Sequence, residues 1–152
     1  MKKAIFILFL VSFSGPALMA QKQIVRTELA PEPVGPYSQA VVANGMLFVA
    51  GQLGIDPATR KLVEGGAEKE VVRIMENIRA ILAARGMNLG HVVNTTIFMK
   101  DLREFGKVNQ LYASYFTSEY PARTTVGVSD LPAGAAIEIA VVAAVPQRKR
   151  KK

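Results

Sequence analysis

The chain has 152 residues, half of them hydrophobic, so it is long enough for one packed domain and is not a disordered polymer. It contains no cysteine, which excludes disulfides, a thiol nucleophile and thiolate metal sites. The net charge of +7 comes from the two ends, Lys2 and Lys3 and the five basic residues of 148–152. Without those seven residues, twelve Lys and Arg balance twelve Asp and Glu, so residues 21–147 are neutral and nucleic-acid binding is not expected of them.

The first twenty residues have the layout of a secretory signal peptide. Two lysines precede an apolar run over 4–13 that only Ser12 interrupts, and the small residues Ala17 and Ala20 suit a cleavage site after Ala20. The run is shorter than a membrane-spanning helix requires. We therefore predict a periplasmic or secreted protein with no stable membrane association after cleavage. An uncleaved N-terminal anchor is the alternative. Residues 148–152 (RKRKK) form a separate basic C-terminal tail.

The first part of the predicted domain, residues 21–147, is rich in strand signals. A strand-like run over 23–29 is followed by two apolar runs, 39–43 and 46–50, which the dipeptide Asn44-Gly45 separates. Because Asn and Gly tolerate positive φ, this dipeptide predicts a two-residue hairpin turn. Glycines and a proline in 51–66 then indicate irregular, exposed chain.

The remainder alternates helical and strand patterns. Residues 67–85 repeat apolar side chains at helical spacing, which predicts an amphipathic helix with Gly86 as its C-terminal cap. A strand over 92–100, a helix over 105–116 and strands over 122–128 and 136–145 follow. The order βββαβαββ predicts an α+β protein, a mixed sheet with two helices on one face. The other face is then free to contact another subunit.

Two charges lie in strands that are otherwise apolar or uncharged. Glu138 is the one polar side chain between Ala135 and Val145, and an ionised carboxylate on an interior strand costs on the order of several kcal/mol unless it is paired. Arg123 begins the preceding strand. Because consecutive strands usually pair, we expect Arg123 and Glu138 to approach each other. A structural ion pair and a functional site both remain possible at this point. As a site, the guanidinium suits a substrate carboxylate and Glu138 suits the activation of a water.

Tyr37 and His91 are further polar candidates. Tyr37 lies in Gly35-Pro36-Tyr37-Ser38-Gln39, where a Gly-Pro turn delivers an aromatic hydroxyl either as a loop anchor or as a functional group. His91 is the single histidine of the chain. Because no second ligand or nucleophile accompanies it, we interpret His91 as structural or solvated.

Several short motifs together resemble those of the RidA family, also known as YjgF. The resemblance covers nearly all of residues 23–145, and the ordered set is specific although each motif alone is weak. The matching segments are Ala30-Pro31, Gly35-Pro36-Tyr37-Ser38-Gln39-Ala40, Gly51-Gln52, Val108-Asn109, Pro121-Ala122-Arg123 and Ile137-Glu138-Ile139.

The resemblance implies a chorismate-mutase-like α+β fold, a homotrimer with pockets between subunits, and hydrolysis of 2-imino acids and their enamine tautomers to 2-keto acids and ammonia. It implies no metal and no organic cofactor. The positions that match the family's site are Tyr37, Gly51, Asn109, Arg123 and Glu138. In this interpretation Arg123, Gly51, Asn109 and Tyr37 bind the substrate, and Glu138, Arg123 and Tyr37 take part in catalysis.

The sequence departs from the common family pattern at two site positions. Ala50 stands where a Ser or Thr hydroxyl is frequent, and Thr125 stands where a Cys is frequent. The signal peptide and the basic tail are additions to the usual cytosolic form. Two other functions remain open: an endoribonuclease, as some relatives are described, or a non-catalytic trimer that binds small carboxylates or acts as a chaperone.

Overall fold

The computed structural model describes residues 22–146, so the predicted signal peptide (1–20) and basic tail (148–152) lie outside the described range. Within it the chain forms a six-stranded sheet and two α-helices. The strands are β1 (Gln23–Val25), β2 (Ala40–Ala43), β3 (Met46–Leu53), β4 (Val92–Met99), β5 (Ala122–Gly127) and β6 (Ile137–Ala144), and the helices are α1 (Gly66–Ala83) and α2 (Phe105–Ala113). The predicted order βββαβαββ is confirmed. No helix within 22–146 is both long and apolar enough to cross a bilayer.

The sheet order is β1-β2-β3-β6-β4-β5, in which β4 and β5 run parallel and every other neighbouring pair is antiparallel. The sheet is therefore mixed, as predicted. Along β6 the residues alternate strictly between buried and half-buried. Ile137, Ile139 and Val141 pack against the helices, while Glu138 and Val142 lie on the opposite, open face. The expectation of one helix-covered face and one uncovered face is confirmed.

Local sequence signals account for the ends of several elements. Asn44 and Gly45 both have positive φ (49° and 75°), which is the two-residue turn that the dipeptide predicts between β2 and β3. Helix α1 ends in a pair of backbone bonds, Gly86 N–H to Ala83 and Met87 N–H to Leu82, with Gly86 at φ 65°. This is a Schellman cap, so the predicted role of Gly86 is confirmed.

Strand β1 is shorter than predicted and β3 is longer. The chain leaves the sheet after Val25, and the buried side-chain amide of Gln39 then takes the place of strand-to-strand hydrogen bonds. This amide accepts a hydrogen bond from Thr27 N–H and donates to the carbonyls of Thr27, Ala30 and Pro31. Strand β3 continues to Leu53 through a β-bulge between Val49 and Gln52. Such bulges redirect side chains and occur often beside functional sites.

The expected pairing of β5 with β6 is wrong. Strand β4 lies between them, hydrogen-bonded to β5 on one side and to β6 on the other. Arg123 pairs with Thr95, and Thr95 pairs with Val141, which lies on the helix-covered face. Glu138 pairs with Phe98. Consecutive strands often neighbour one another, but here a parallel crossover places β5 at the edge of the sheet.

Candidate functional site

Arg123 is held on the helix side of edge strand β5 by contacts from α2. Its Nη2 donates a hydrogen bond of 2.7 Å to Asn109 Oδ1. Its guanidinium carbon lies 4.9 Å from the ring centre of Tyr112 and 5.7 Å from that of Phe105, so the cation contacts two aromatic faces. Among residues 22–146 no carboxylate lies within 4.0 Å of it. The guanidinium is thus fixed in position while its charge has no protein counter-ion in this part of the chain.

An open cleft of about 390 Å³ lies in front of this guanidinium. Its floor rests on Tyr112, whose hydroxyl shares a buried hydrogen bond of 2.9 Å with Thr95. Burial raises the pKa of the Tyr112 phenol, which keeps the hydroxyl neutral. The cleft is lined by Asn109, Tyr112, Ala113, Tyr120, Pro121 and Arg123. A planar cation beside aromatic and apolar walls suits a small carboxylate with an organic side chain.

Glu138 occupies the open face of the sheet, directly over Gly51. A Cβ atom added at Gly51 would lie only 1.8 Å from Glu138 Oε1 and 2.7 Å from its carboxyl carbon. Burial raises the pKa of Glu138. Within residues 22–146 its carboxylate makes neither a hydrogen bond nor a salt bridge to another side chain. Gly51 is therefore required for the close approach of an acid whose carboxyl group has no partner in this part of the chain.

Tyr37 lies on the same side of the sheet as Glu138. Its ring is half exposed, and its hydroxyl accepts a long hydrogen bond of 3.4 Å from the Val34 N–H in its own loop. It lines a shallow cleft with Phe48 and Ala50, and Phe48 pairs with Val142 of the open face. The predicted loop-anchoring contact is present, and the ring is also available beside the strand that carries Gly51. Ala50 offers no hydroxyl to this cleft.

The structure thus divides the predicted site residues into two groups. Arg123 and Asn109 form one group on the helix side of β5, and Glu138, Gly51 and Tyr37 form the other towards the open face. Glu138 and Arg123 lie two strands and three residue positions apart, which places their Cα atoms roughly 14 Å from each other, with side chains on opposite faces. The expected Arg123–Glu138 contact does not occur within one chain.

Two aromatic residues that the sequence did not single out support the Arg123 group. Phe105 and Tyr112 hold the guanidinium of Arg123, yet in the sequence they read as ordinary core aromatics of α2. Thr125 lies two positions after Arg123 on the same face, and its buried hydroxyl has no hydrogen-bond partner within the described range. His91 forms a capping box with Asn88, so its predicted structural role is confirmed. Residues 22–146 contain no cluster of three or more acidic or histidine side chains able to hold a metal ion.

The chain is similar in sequence to a known protein family and to several individual proteins. The family model described as Endoribonuclease L-PSP matches residues 27–145. A RutC family protein of Pyrococcus horikoshii is 46% identical over 122 residues, which cover 80% of this chain and 97% of that protein. The human 2-iminobutanoate/2-iminopropanoate deaminase is 40% identical over 122 residues, covering 80% of this chain and 89% of that protein.

Solved structures agree with this result. The crystal structure of Escherichia coli TdcF with bound serine matches with a TM-score of 0.78 and 31% identity, covering 82% of this chain and 99% of that one. The predicted RidA-type α+β fold is confirmed. Because the family model spans most of the chain and relatives of nearly equal length exceed 30% identity, the chain belongs to the RidA/YjgF/L-PSP family, also called the RutC family.

Proposed function

We propose that this protein hydrolyses 2-imino acids and their enamine tautomers, of the 2-iminopropanoate and 2-iminobutanoate type, to 2-keto acids and ammonia. The observation that carries the proposal is the Arg123 guanidinium, held between two aromatic rings and Asn109 with no carboxylate within 4.0 Å among the described residues. The human relative named 2-iminobutanoate/2-iminopropanoate deaminase supports it at 40% identity.

In this proposal Arg123 binds the carboxylate of the substrate. One Arg123 amino group is engaged by Asn109, so the remaining N–H donors are available to pair with two carboxylate oxygens. The aromatic contacts and the Asn109 bond restrict the guanidinium before the substrate arrives, which reduces the entropy lost on binding. The Gly51 backbone and the Tyr37 ring contact the rest of the molecule.

Hydrolysis needs a positioned water rather than a protein nucleophile, because the imine carbon is already electrophilic. Glu138 orients a water and accepts its proton as the oxygen bonds to C2. The proton passes to the nitrogen, which gives the carbinolamine. Glu138 then transfers the proton of the carbinolamine hydroxyl to the amino nitrogen, the C–N bond breaks, and ammonia leaves as the C2 carbonyl forms. The raised pKa of Glu138 lies closer to neutral pH than the usual pKa of glutamate, which makes the carboxyl a better group for accepting and returning a proton. Positioning of water and imine supplies much of the remaining rate acceleration.

The two residue groups meet between subunits in this proposal. Arg123 and Asn109 of one subunit face Glu138, Gly51 and Tyr37 of the next, in a closed homotrimer. The open sheet face supports such an assembly, because it exposes the large apolar side chains Phe48 and Val126, at 47% and 37%. A head-to-tail contact repeated around a threefold axis closes without leaving an unpaired surface.

The proposed localisation of the protein depends on the sequence of residues 1–20. We expect export and cleavage after Ala20, giving a periplasmic or secreted enzyme. An exported deaminase needs a source of imines outside the cytoplasm, and an amino-acid oxidase is the class of enzyme that supplies them. Fractionation of cells and N-terminal sequencing of the mature protein test this assignment. A protein that keeps Met1 and stays in the cytosol would contradict it.

The direct test is release of keto acid and ammonia when an amino-acid oxidase generates the imine in the assay. Residues 21–152 are expected to accelerate both, and Arg123→Ala and Glu138→Ala are expected to abolish the acceleration. Equal activity of Arg123→Ala and wild type would refute the mechanism. Carboxylate binding measured by calorimetry, without turnover of any imine, would instead indicate a non-catalytic binding protein.

Ribonuclease activity is the second candidate, and the basic tail RKRKK is the feature of this chain that favours it. The neutral charge of residues 22–146 and the use of the single histidine as a cap oppose it. RNA cleavage that co-purifies with the protein through additional columns, and survives deletion of residues 148–152, would support this function in place of the deaminase.

A further inference from the structure

Glu70 is a fully buried carboxylate in the second turn of α1, on the helix-covered side of the sheet. Its side chain is 2% exposed. One oxygen, Oε2, accepts two backbone N–H groups, from Ala136 at 2.9 Å and from Ile137 at 3.3 Å. Ile137 is the first residue of β6 and directly precedes Glu138. Glu70 therefore holds the point at which the chain enters the strand that carries Glu138.

The same side chain also contacts the end of β3. A Cβ atom added at Gly54 would lie 2.6 Å from Glu70 Cγ and 2.8 Å from its Cα, so Gly54 and α1 are in direct contact. Gly54 follows Leu53, and Leu53 is the β3 residue that pairs with Glu138. Glu70 thus contacts the start of β6, which carries Glu138, and Gly54, the residue that directly follows β3. These contacts come from the helix side, whereas the Glu138 carboxylate lies on the open side.

We propose that Glu70 is a positioning residue for Glu138: through its two backbone hydrogen bonds it fixes the start of β6 so that the Glu138 carboxylate lies over Gly51. The inference rests on the proposed catalytic role of Glu138. The length of the Glu70 side chain, which allows its oxygen to meet the two N–H groups, is what positions β6. The negative charge of Glu70 is not required. Gln keeps that reach and an acceptor oxygen without the charge, while Asp keeps the charge and is shorter by one methylene.

The charge of Glu70 has its own surroundings, which separate it from Glu138. Burial is the main cause that raises the pKa of Glu70, and the two N–H groups oppose it; Glu104 raises it further and Lys100 lowers it. Burial alone raises the pKa of Glu138. Neutralising Glu70 is therefore expected to leave the titration of Glu138 unchanged, whereas releasing the start of β6 exposes Glu138 to water.

The experiment compares Glu70→Gln, Glu70→Asp and Glu70→Ala in the mature chain with Ile81→Val. Ile81 is fully buried three turns further along α1, so its variant controls for loss of stability alone. Four quantities are measured: the melting temperature, kcat and KM in the imine assay, and the titration of the Glu138 carboxyl by ¹³C NMR, assigned with Glu138→Gln. The NMR titration requires no turnover.

Glu70→Gln is expected to keep kcat within about twofold of wild type and to keep the Glu138 titration unchanged. Glu70→Asp and Glu70→Ala are expected to lower kcat by about tenfold or more, with KM nearly constant, and to move the Glu138 pKa down towards its ordinary range. A Glu138 titration that stays at the wild-type position in Glu70→Ala, as in Ile81→Val, would overturn the proposal. Equal losses in Glu70→Gln and Glu70→Ala would also overturn it. If the wild-type chain has no imine activity, the proposed function fails, while the NMR titration still decides the role of Glu70.

Discussion

Gly51→Ala places a methyl group where the Glu138 carboxylate now lies. The new Cβ would be 1.8 Å from Oε1, and ordinary contact begins near 3.4 Å, so the carboxylate must move by about 1.6 Å. The carboxylate is the far end of a flexible, half-buried side chain and can turn away at little cost. We therefore expect the free energy of unfolding to fall by only about 1 kcal/mol, the lower end of what overpacking costs.

Gly51→Ala is expected to reduce the catalytic activity much more than the stability. A misplacement of about 1 Å at the reacting groups costs on the order of a hundredfold in rate, so kcat should fall by about that factor. KM should rise by a smaller factor, because the new methyl group disturbs the substrate's contact with Gly51 while Arg123, which binds the carboxylate, is untouched. The assay is keto-acid and ammonia release from an imine generated in situ. Gly106→Ala in α2 is the matched control, since a Cβ there meets nothing within 4 Å.

A double variant shows whether the loss acts through Glu138. In a Glu138→Ala background, Gly51→Ala is expected to cause no further loss of stability in chemical denaturation, because the side chain that it displaces is gone. Full activity in Gly51→Ala, or the same loss of stability with and without the Glu138 side chain, would contradict the inference that Gly51 is a glycine to make room for this carboxylate.

The remaining predictions concern the other functional groups. Arg123→Lys keeps the charge but loses the planar fork, so KM should rise at least tenfold with a smaller effect on kcat, and an unchanged KM would contradict carboxylate binding there. Activity should fall as the pH drops through the raised pKa of Glu138, above the usual range of glutamate, and a profile flat down to that usual range would contradict its role as base. A raised folded pKa also means that ionised Glu138 opposes folding above that pKa, so Glu138→Gln should raise the melting temperature at pH 7 and not at pH 4. Tyr112→Phe keeps the ring beneath Arg123 and leaves the Thr95 hydroxyl unpaired, so chemical denaturation should show a loss of about 1–3 kcal/mol while KM stays constant.

Features set by short-range chemistry were predictable from the sequence. The periodicity of 67–85 predicts α1, and positive-φ residues predict the turn at Asn44-Gly45 and the cap at Gly86, all of which the structure contains. The uncharged surroundings of Glu138 predict an interior strand, and β6 lies between two neighbours. These signals depend only on residues a few positions apart, so they can be read along the chain.

Features set by the pairing of distant strands were not predictable from the sequence. The insertion of β6 between β3 and β4 depends on contacts far apart in the sequence, and it decides both the distance and the faces of Arg123 and Glu138. Alternation within one strand says which residues share a face, but not how two strands are aligned. The bulge that sets Gly51 beneath Glu138 and the buried bonds of Glu70 leave no local signature either. The five candidate site residues were chosen by family resemblance, and their separation into two groups could not be read from it.

We propose that Arg123 and Glu138 act together only between subunits, and mixed trimers test this arrangement most directly. Arg123→Ala and Glu138→Ala are each expected to be inactive alone. After denaturation and refolding of an equal mixture, random assembly gives about one quarter of all subunit contacts an intact arginine facing an intact glutamate. The mixture is therefore expected to recover about a quarter of the wild-type activity. A refolded mixture that forms mixed trimers but remains as inactive as its two parents would contradict it.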